Sequence, residues 1–317
     1  MIREIRLAAC AKLNLDLRVL HKRTDGYHEL RTVFQTISLA DRIDVSFTPS
    51  KKTTISLESA LDIPNNLVIR AAKLVLDAAQ ATGEVRFRLT KRIPMGGGLG
   101  GGSTDAAAVL LALPVLAGRV VPMELLRELA LQLGSDVPFF LDGGTALGLG
   151  RGEELYPLPD ARLGPILLVA PGVHVSTPEA YLALGRQLTF DGSSHSINSF
   201  RSFVWSLGGG LSSREQEASG GNDFEAAVFA RHPKLRVLKK KLRQSGACPA
   251  LMTGSGSALF GVFGGREARD RAAASFRHEA VFQVSAVSRD RYRSLWRRQL
   301  KAHITGNEWP PRSQYAR

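Results

Sequence analysis

The first clear pattern along the chain is an alternation of apolar residues with other residues between Ile5 and Val19. Every odd position in this range is apolar, in the order Ile, Leu, Ala, Ala, Leu, Leu, Leu, Val. A period of two predicts a β-strand whose odd side chains pack inward. Lys12, Asn14 and Asp16 therefore share the opposite face of this strand.

The rest of the chain predicts strands and helices in mixed order. The predicted strands are RTVFQTISL, DRIDVSF, EVRFRLT, TALGLG, ILLVAPG, ALMTG, SALFGVF and AVFQVSAV, the first of them after a turn at Asp25-Gly26. The predicted helices run from Leu67 to about Ala81, from the glycine-rich stretch to near Pro114, from Pro122 to Gly134, over 234–244 and over 266–277. Asn65 or Asn66 is expected to cap the first helix and Gly83 to close it.

This order of elements favours an α+β fold with two domains, because the strands come in pairs and not in a regular alternation with helices. The stretch PLPDARLGP is typical of a linker, so we expect domains at 1–158 and 159–299. A mobile loop is predicted for the Ser- and Gly-rich residues 191–222. Residues 300–317 form a basic tail that fits a packing arm, a partner contact or disorder.

Six glycines stand in the stretch IPMGGGLGGGSTDAAAVL, directly before an alanine-rich helix. Glycine lets successive backbone N–H groups point the same way, and such groups form an anion-binding nest. The positive N-terminal end of the following helix adds to it. With Ser103 as the predicted N-cap and Thr104 as a second hydroxyl, this stretch predicts a phosphate site.

Several interpretations of the glycines compete. A P-loop needs lysine after its last glycine, where Ser103 stands. Gly96-x-Gly98-x-x-Gly101 matches the dinucleotide fingerprint in form, but Pro94 interrupts the preceding strand and no strand-end acid follows. A plain glycine linker would not run directly into a capped helix.

A family resemblance gives another interpretation. PMGGGLGGGSTDAAAVL resembles the phosphate loop of the GHMP kinases, AKLNLDL resembles their first motif, and ALMTGSGSALFGVF resembles their third. The resemblance implies a two-domain GHMP kinase fold with the active site in the cleft between the domains, and ATP as phosphoryl donor. The residues implied to bind ATP are Asn66, Pro94, Met95, Gly96, Gly97, Gly98, Leu99, Gly100, Gly101, Gly102, Ser103 and Thr104.

Within the GHMP kinases, longer stretches such as AKLNLDLRVLHKRTDGYHELRTVFQTISLADRI and PGVHVSTPEAYLAL are similar to the branch that acts on CDP-methylerythritol in the non-mevalonate isoprenoid pathway. This similarity implies a small-molecule partner and transfer of the ATP γ-phosphoryl group to its 2-hydroxyl. Mg²⁺ would be held mainly by ATP, with Ser103 or Thr104 as candidate protein ligands and no dedicated acidic cage.

Two charged residues suit phosphoryl transfer, which depends on positioning and charge stabilisation. Asp136 lies just past a predicted helix end, and the resemblance assigns it to the acceptor hydroxyl; whether it abstracts the proton or orients the hydroxyl is left open. The positive charge of Lys12 would favour the ionised forms of the Asp136 carboxyl group and of the acceptor hydroxyl. Asn14 faces the same way and can hydrogen-bond the substrate, whereas Asp16 is interpreted as structural.

The resemblance also implies a cytidine pocket. Its residues would be Tyr27, His28, Thr177, Pro178 and Tyr181. Tyr27 and Tyr181 can stack on the two faces of the base, and His28 can hydrogen-bond its edge.

Composition narrows the class of protein. The chain has 317 residues and 44% hydrophobic content, which is enough for one large or two modest domains. No run approaches the roughly 18 apolar residues of a membrane span, and no signal peptide is recognised. The two cysteines, Cys10 and Cys248, match no metal spacing, so a reduced cytoplasmic protein is expected. The expected oligomeric state is a monomer or a homodimer.

The net charge of +13 favours anionic partners, so a nucleic-acid-binding protein is one alternative. However, no nucleic-acid-binding module is recognised, and Leu235, Leu238 and Leu242 give the basic helix an ordinary packed face. Another alternative is a GHMP kinase for homoserine, mevalonate or a sugar. The cytidine-pocket residues argue against it, because a small alcohol needs no base sandwich.

Overall fold

The computed structural model describes residues 1–185, 200, 203–204, 207 and 220–316. These residues form two larger sheets with packed helices, and a small sheet of two short strands. This confirms the predicted α+β class. The mobile loop predicted at 191–222 falls largely outside the described residues.

The first sheet is built around one long strand. Its strands are β1 (Arg3–Lys22), β2 (His28–Pro49), β3 (Thr54–Ser59), β4 (Gly83–Thr90), β5 (Thr145–Leu149) and β6 (Glu154–Pro157). They lie in the order β3-β4-β2-β5-β6, and β1 pairs antiparallel along the other edge of β2. Among the described residues of this sheet, β3 and β4 are the only strands that pair in parallel.

Strand β1 departs from a simple two-faced strand. Lys12 and Asn14 share a face as predicted, but Asp16 is separated from Asn14 by a register shift and pairs with Val33, the neighbour of Phe34, which pairs with Asn14. All three side chains are buried, with exposed fractions of 3%, 2% and 1%. Register shifts occur between Cys10 and Lys12 and between Asn14 and Asp16. β-Bulges of this kind re-aim side chains, and here the second one turns Asp16 away from Lys12 and Asn14.

Four helices pack on the first sheet: α1 (Leu67–Ala78), α2 (Gly101–Ala117), α3 (Met123–Leu133) and the single turn α4 (Phe139–Asp142). Two predicted helix ends were wrong. Helix α1 ends at Ala78, because Gln80 takes a left-handed conformation (φ 46°), and Gly83 begins β4. Helix α2 continues past Pro114 to Ala117, with Gly118 (φ 75°) as its C-cap.

The second unit is a four-stranded antiparallel sheet with its own helices. Its strands are β7 (Ile166–Ala170), β8 (Ala250–Met252), β9 (Leu259–Val262) and β10 (Ala280–Val284), in the order β10-β7-β9-β8. Its helices are α5 (Thr177–Gly185), α6 (Phe224–Arg231), α7 (Pro233–Gln244) and α8 (Arg266–Ser275). Leu235, Leu238 and Leu242 of α7 are buried, which confirms the predicted packed face.

The two sheets share a hydrophobic core that joins the units. Leu13 and Val33 from the first sheet pack in one cluster with Leu168 and Phe260 from the second, and all four are fully buried. Strand β1, which carries the polar residues, is therefore fixed against the second unit. A cleft opens beside this shared core.

The C-terminal segment, residues 289–316, returns to the first unit. Helix α9 (Arg289–Leu300) places Tyr292 and Trp296 in the first unit's core, and strands β11 (Ile304–Thr305) and β12 (Arg312–Ser313) follow it. Within the predicted tail 300–317, Trp309 packs against the same core and Ser313 Oγ donates to the Val115 carbonyl at 2.6 Å, contacts that fit a packing arm. The predicted domain boundaries stay predictions. No described helix is both apolar and long enough to cross a bilayer.

Candidate active site

A cavity of about 1170 Å³ lies between the two units. The predicted residues that line it are Lys12, Asn14, Tyr27, His28, Gly98, Gly100, Ser103, Asp136, Thr177, Pro178 and Tyr181. A neighbouring cavity of about 310 Å³ is lined by Asn66 and by every residue from Pro94 to Gly102. Gly98 and Gly100 line both cavities, so the glycine loop separates them.

Lys12 and Asp136 lie together in the larger cavity. The Lys12 ammonium is 3.3 Å from Asp136 Oδ2, and it donates a hydrogen bond of 2.6 Å to Asn14 Oδ1. The Lys12 side chain is 4% exposed and that of Asp136 is 32% exposed. Asp136 is therefore open to a ligand, while Lys12 presents a fixed positive charge behind it.

Both polar atoms of the Asn14 side-chain amide form hydrogen bonds. Its Nδ2 donates to Thr32 Oγ1 at 2.8 Å, and its Oδ1 accepts from Lys12. Asp16, by contrast, accepts from Arg18 and from the Gly221 backbone and does not line the cavity. Asp16 therefore has structural partners, in agreement with its interpretation from the sequence.

The glycine loop begins α2 differently from the prediction. Gly100, in the left-handed region (φ 71°), is the N-cap, so Ser103 lies in the first turn and is not the cap. The prediction of a Ser103 N-cap was wrong, because a glycine at positive φ lets the helix begin earlier in the chain. Ser103 instead lines the larger cavity.

The loop also touches the second unit. A Cβ at Gly98 would lie 2.2 Å from the carbonyl oxygen of Thr253, so only glycine permits this approach. Thr253 Oγ1 accepts from the Asn14 backbone at 3.0 Å and donates toward Gly98 O at 3.3 Å. Asn222 holds the same turn by donating to the carbonyls of Met252 and Gly254 at 2.8 Å.

These supporting residues of the second unit were not identified from the sequence. Thr253 precedes the Gly254-Ser255-Gly256 turn that carried the resemblance, so its position was a usable signal. Asn222 begins the stretch NDFEAAVFARHP, but nothing local indicates that its amide reaches another turn.

The aromatic residues predicted for cytidine all line the larger cavity, and two of them are in contact. The rings of His28 and Tyr181 stack with centroids 4.8 Å apart and an interplanar angle of 20°. Phe224 supports Tyr181 edge-on at 4.8 Å. Tyr27 is 56% exposed, and the guanidinium of Arg151, also missed from the sequence, lies 4.9 Å from its ring centroid.

Two pKa shifts describe the stacked rings of His28 and Tyr181. Burial, with a smaller contribution from Lys22, lowers the pKa of His28, so its imidazole is neutral at pH 7. Burial, with a smaller contribution from Asp136, raises the pKa of Tyr181 above its ordinary value, so its hydroxyl stays protonated. The stacked pair is therefore uncharged, which suits contact with a neutral base.

Beneath the glycine loop lies a buried ionic triad, Asp41–Lys91–Asp105, which the sequence did not reveal. The Lys91 ammonium contacts Asp41 Oδ2 and donates to Asp105 Oδ2 at 2.7 Å. Lys91 and Asp105 line the smaller cavity. Burial raises the pKa of Asp105 to about 7; Lys91 opposes this shift and Asp41 adds to it. Asp41 Oδ1 also accepts from the backbone N–H of Ile93 at 2.8 Å, so the triad fixes the chain where it enters the loop.

Asn66, one of the predicted ATP residues, caps α1, because its Oδ1 accepts from the Val68 backbone at 2.9 Å. This confirms the capping prediction for Asn66 over Asn65. Both asparagines also line the smaller cavity. The cap holds the edge of that cavity in place without excluding a contact between Asn66 and a ligand.

For magnesium, the available protein donors are few. In the described part of the chain, no group of three His, Cys, Asp or Glu side chains could hold a metal ion. Ser103 lines the cavity, whereas the Thr104 hydroxyl is buried without a hydrogen-bond partner. Mg²⁺ is often bound by phosphates, waters and one or two protein oxygens, so this donor set fits a phosphate-borne Mg²⁺.

Comparisons with known proteins agree on one family. The profile "GHMP kinases N terminal domain" matches residues 66–144, and "GHMP kinases C terminal" matches residues 209–281. A Solibacter usitatus protein named 4-diphosphocytidyl-2-C-methyl-D-erythritol kinase is 55% identical over 317 residues, which cover 99% of this chain and 98% of the relative. A Geobacter sulfurreducens protein of the same name is 38% identical, covering 90% of this chain and 99% of the relative.

Solved structures give the same result. A crystal structure of 4-(cytidine 5'-diphospho)-2C-methyl-D-erythritol kinase superposes with a TM-score of 0.74 at 38% identity, covering 89% of this chain and 99% of that one. A mevalonate kinase superposes with a TM-score of 0.69 at 13% identity, covering 91% of this chain and 99% of that one, and is similar in fold alone.

Proposed function

Because the chain belongs to the 4-diphosphocytidyl-2-C-methyl-D-erythritol kinases of the GHMP kinase family, we propose that its cleft transfers the γ-phosphoryl group of ATP to the 2-hydroxyl of that CDP-linked alcohol. The chain is a phosphotransferase with an alcohol group as acceptor, and ATP is the donor. The products are ADP and the 2-phosphate of the alcohol, an intermediate of non-mevalonate isoprenoid synthesis.

The observation that carries this proposal is the placement of Asp136 and Lys12 between two binding regions. On one side is the glycine loop, whose backbone N–H groups and helix terminus suit phosphates. On the other side is the uncharged aromatic pair of His28 and Tyr181. A long substrate with a base at one end and an alcohol at the other fits this arrangement.

In the proposed mechanism, the alcohol approaches Asp136, which accepts or orients the proton of the attacking hydroxyl. Lys12 lies 3.3 Å from that carboxylate and stabilises the negative charge that develops around the acceptor oxygen. The loop amides hold the phosphates of ATP in line with the hydroxyl. No covalent intermediate on the protein is needed, because such transfers rely on positioning and electrostatics.

The smaller cavity, with Asn66 and Pro94 at its edge, is proposed to hold the adenosine part of ATP. Mg²⁺ is proposed to arrive with ATP, with Ser103 as its protein-side oxygen, and would neutralise phosphate charge there. Thr177, Pro178 and Tyr27 are proposed to enclose the cytidine. A cytoplasmic location remains a prediction.

A turnover assay tests the proposal directly. ADP release would be measured with Mg-ATP and, in parallel reactions, the CDP-alcohol, mevalonate and homoserine. We expect turnover only with the CDP-alcohol and competition by free CDP. Turnover with a small alcohol, unaffected by CDP, would instead favour another GHMP kinase activity.

A further inference from the structure

The C-terminal segment, residues 289–316, grips the short helix α4 at three consecutive residues. Tyr292 Oη donates to the Phe140 carbonyl at 2.6 Å, and Trp309 Nε1 donates to the Leu141 carbonyl at 3.1 Å. Arg293 Nη2 donates to Asp142 Oδ1 at 2.8 Å. These contacts join residues that lie 151, 152 and 168 positions apart in the chain.

Helix α4 needs such support. It has four residues, and nucleation makes an isolated helix of one turn unfavourable in water. The carbonyls at its C-terminal end have no partners further along the same helix. Tyr292 and Trp309 supply hydrogen bonds to two of these carbonyls, so the geometry of α4 is imposed from outside the helix.

The C-terminal segment and α4 are tightly packed against each other. Tyr292 is buried, and a Cβ at Gly143, the residue after α4, would lie 2.5 Å from the Tyr292 ring. The Arg293 guanidinium lies 5.2 Å from the centroid of the Trp309 ring, so the gripping residues also contact each other. Small shifts of α4 are therefore resisted on this side.

On its other sides, α4 reaches the proposed reaction centre. Asp136 stands in the turn that leads into α4, where Phe140 N donates to Val137 O at 3.1 Å. The Phe140 ring packs against Gly100, at which a Cβ would lie 2.7 Å from it. The ring of Phe139 contacts that of Phe34, and Lys12 lies 5.3 Å from the Phe34 centroid.

We propose that three residues of the C-terminal segment, Tyr292, Arg293 and Trp309, are positioning residues that hold α4 and thereby set Asp136 against Lys12 and the glycine loop. A displacement of about 1 Å in a reacting group can lower a rate by roughly 10²-fold. The inference rests on the proposed role of Asp136, so its test includes that residue.

The test uses Tyr292→Phe and Trp309→Phe in the full chain, since each removes one donor and keeps an aromatic ring. Tyr315→Phe is the matched control: it lies in the same segment, and its hydroxyl contacts His303 and not α4. We expect kcat to fall about 10-fold in each test variant, with KM for the CDP-alcohol within two-fold and kcat of the control unchanged.

A double-mutant cycle separates positioning from general structural damage. Trp309→Phe is combined with Asp136→Ala, and its effect on kcat is compared in the two backgrounds. Because a positioning residue acts through Asp136, the combination should lose no further activity beyond Asp136→Ala alone. An equal loss in both backgrounds, or unchanged kcat in both test variants, would overturn the inference. Full activity of Asp136→Ala would instead overturn the proposed role of Asp136.

Discussion

Lys12 carries its positive charge where water hardly reaches. A buried ammonium is costly unless it is paired, and Asp136 and Asn14 are the partners observed for it. The same arrangement leaves the Asp136 carboxylate partly exposed toward the cavity. At the scale of single residues, the site thus combines a fixed cation with an accessible carboxylate.

Replacing Asp136 by alanine should therefore affect chemistry more than binding. We expect kcat to fall by about 10²–10⁴-fold, the usual contribution of a general base, with little change in affinity for CDP. Steady-state kinetics and equilibrium dialysis with CDP measure the two effects. Asp62→Ala, an exposed carboxylate outside both cavities, is the control. Parallel losses of turnover and CDP affinity would show that Asp136 is structural.

Tyr27→Ala should act on one substrate only. Stacking of a base on an aromatic ring contributes about 1–3 kcal/mol, so KM for the CDP-alcohol should rise by roughly 5- to 150-fold. KM for ATP should stay unchanged. Tyr156→Ala, an equally exposed tyrosine outside both cavities, should change neither value. An effect confined to ATP would contradict the pocket assignment.

Asp105 should give the protein a distinctive dependence of stability on pH. Burial raises its pKa in the folded chain to about 7, above the ordinary value of 3.8. A raised carboxyl pKa means that the folded state binds the proton more tightly, so this group's contribution to the free energy of unfolding falls as pH rises from about 4 to about 7.

Urea unfolding of wild type and Asp105→Asn at pH 5 and pH 8 measures this effect. We expect the variant to lose less stability than wild type between the two values. The variant also changes the contact with Lys91, and any loss of unfolding free energy from this change that is the same at both pH values cancels in the comparison. Identical changes in the two proteins would show that Asp105 is ionised throughout the range.

At the scale of elements, the glycine loop depends on a close approach between the units. Gly98→Ala places a methyl group against the Thr253 carbonyl at positive φ. Gly172 has nearly the same φ (69°) but open space around it. Gly172→Ala should therefore show the backbone strain alone, about 1–2 kcal/mol.

Gly98→Ala should lose more stability than Gly172→Ala and also raise KM for ATP several-fold, because the loop must move away from Thr253. Chemical denaturation and ATP kinetics on both variants check this. Equal losses in the two variants, with ATP kinetics unaffected, would mean that the loop does not need the close approach.

Local patterns predicted most elements and the phosphate loop, whereas the family resemblance supplied the role of Asp136 and the cytidine pocket. The alternation around Lys12, the glycine stretch and the turn before Tyr27 each carry their signal within a few residues. What they missed depends on distant partners: the Asp41–Lys91–Asp105 triad, the amide of Asn222 and the contact of Arg151 with Tyr27. Ser103 was misassigned as a cap because sequence spacing does not reveal that Gly100 adopts positive φ.

For the whole molecule, the shared core predicts that the two units unfold together. Leu13 is fully buried between the sheets, and Leu→Ala at such a site typically costs about 2–5 kcal/mol. We expect a single urea transition, coincident by far-UV circular dichroism and tryptophan fluorescence, that shifts as a whole in Leu13→Ala. Leu61→Ala, an exposed leucine, should leave it in place. Separate transitions would indicate independent units.

The return of helix α9 to the first sheet has a consequence for biosynthesis. Domains usually fold as they emerge from the ribosome, N-terminal part first. Here the first half of the polypeptide cannot complete its interior until Tyr292 and Trp296 have been translated. The nascent chain must therefore leave part of the first unit's apolar core uncovered through most of translation, and a chain that stops near residue 286 would lack the two aromatic side chains that complete it.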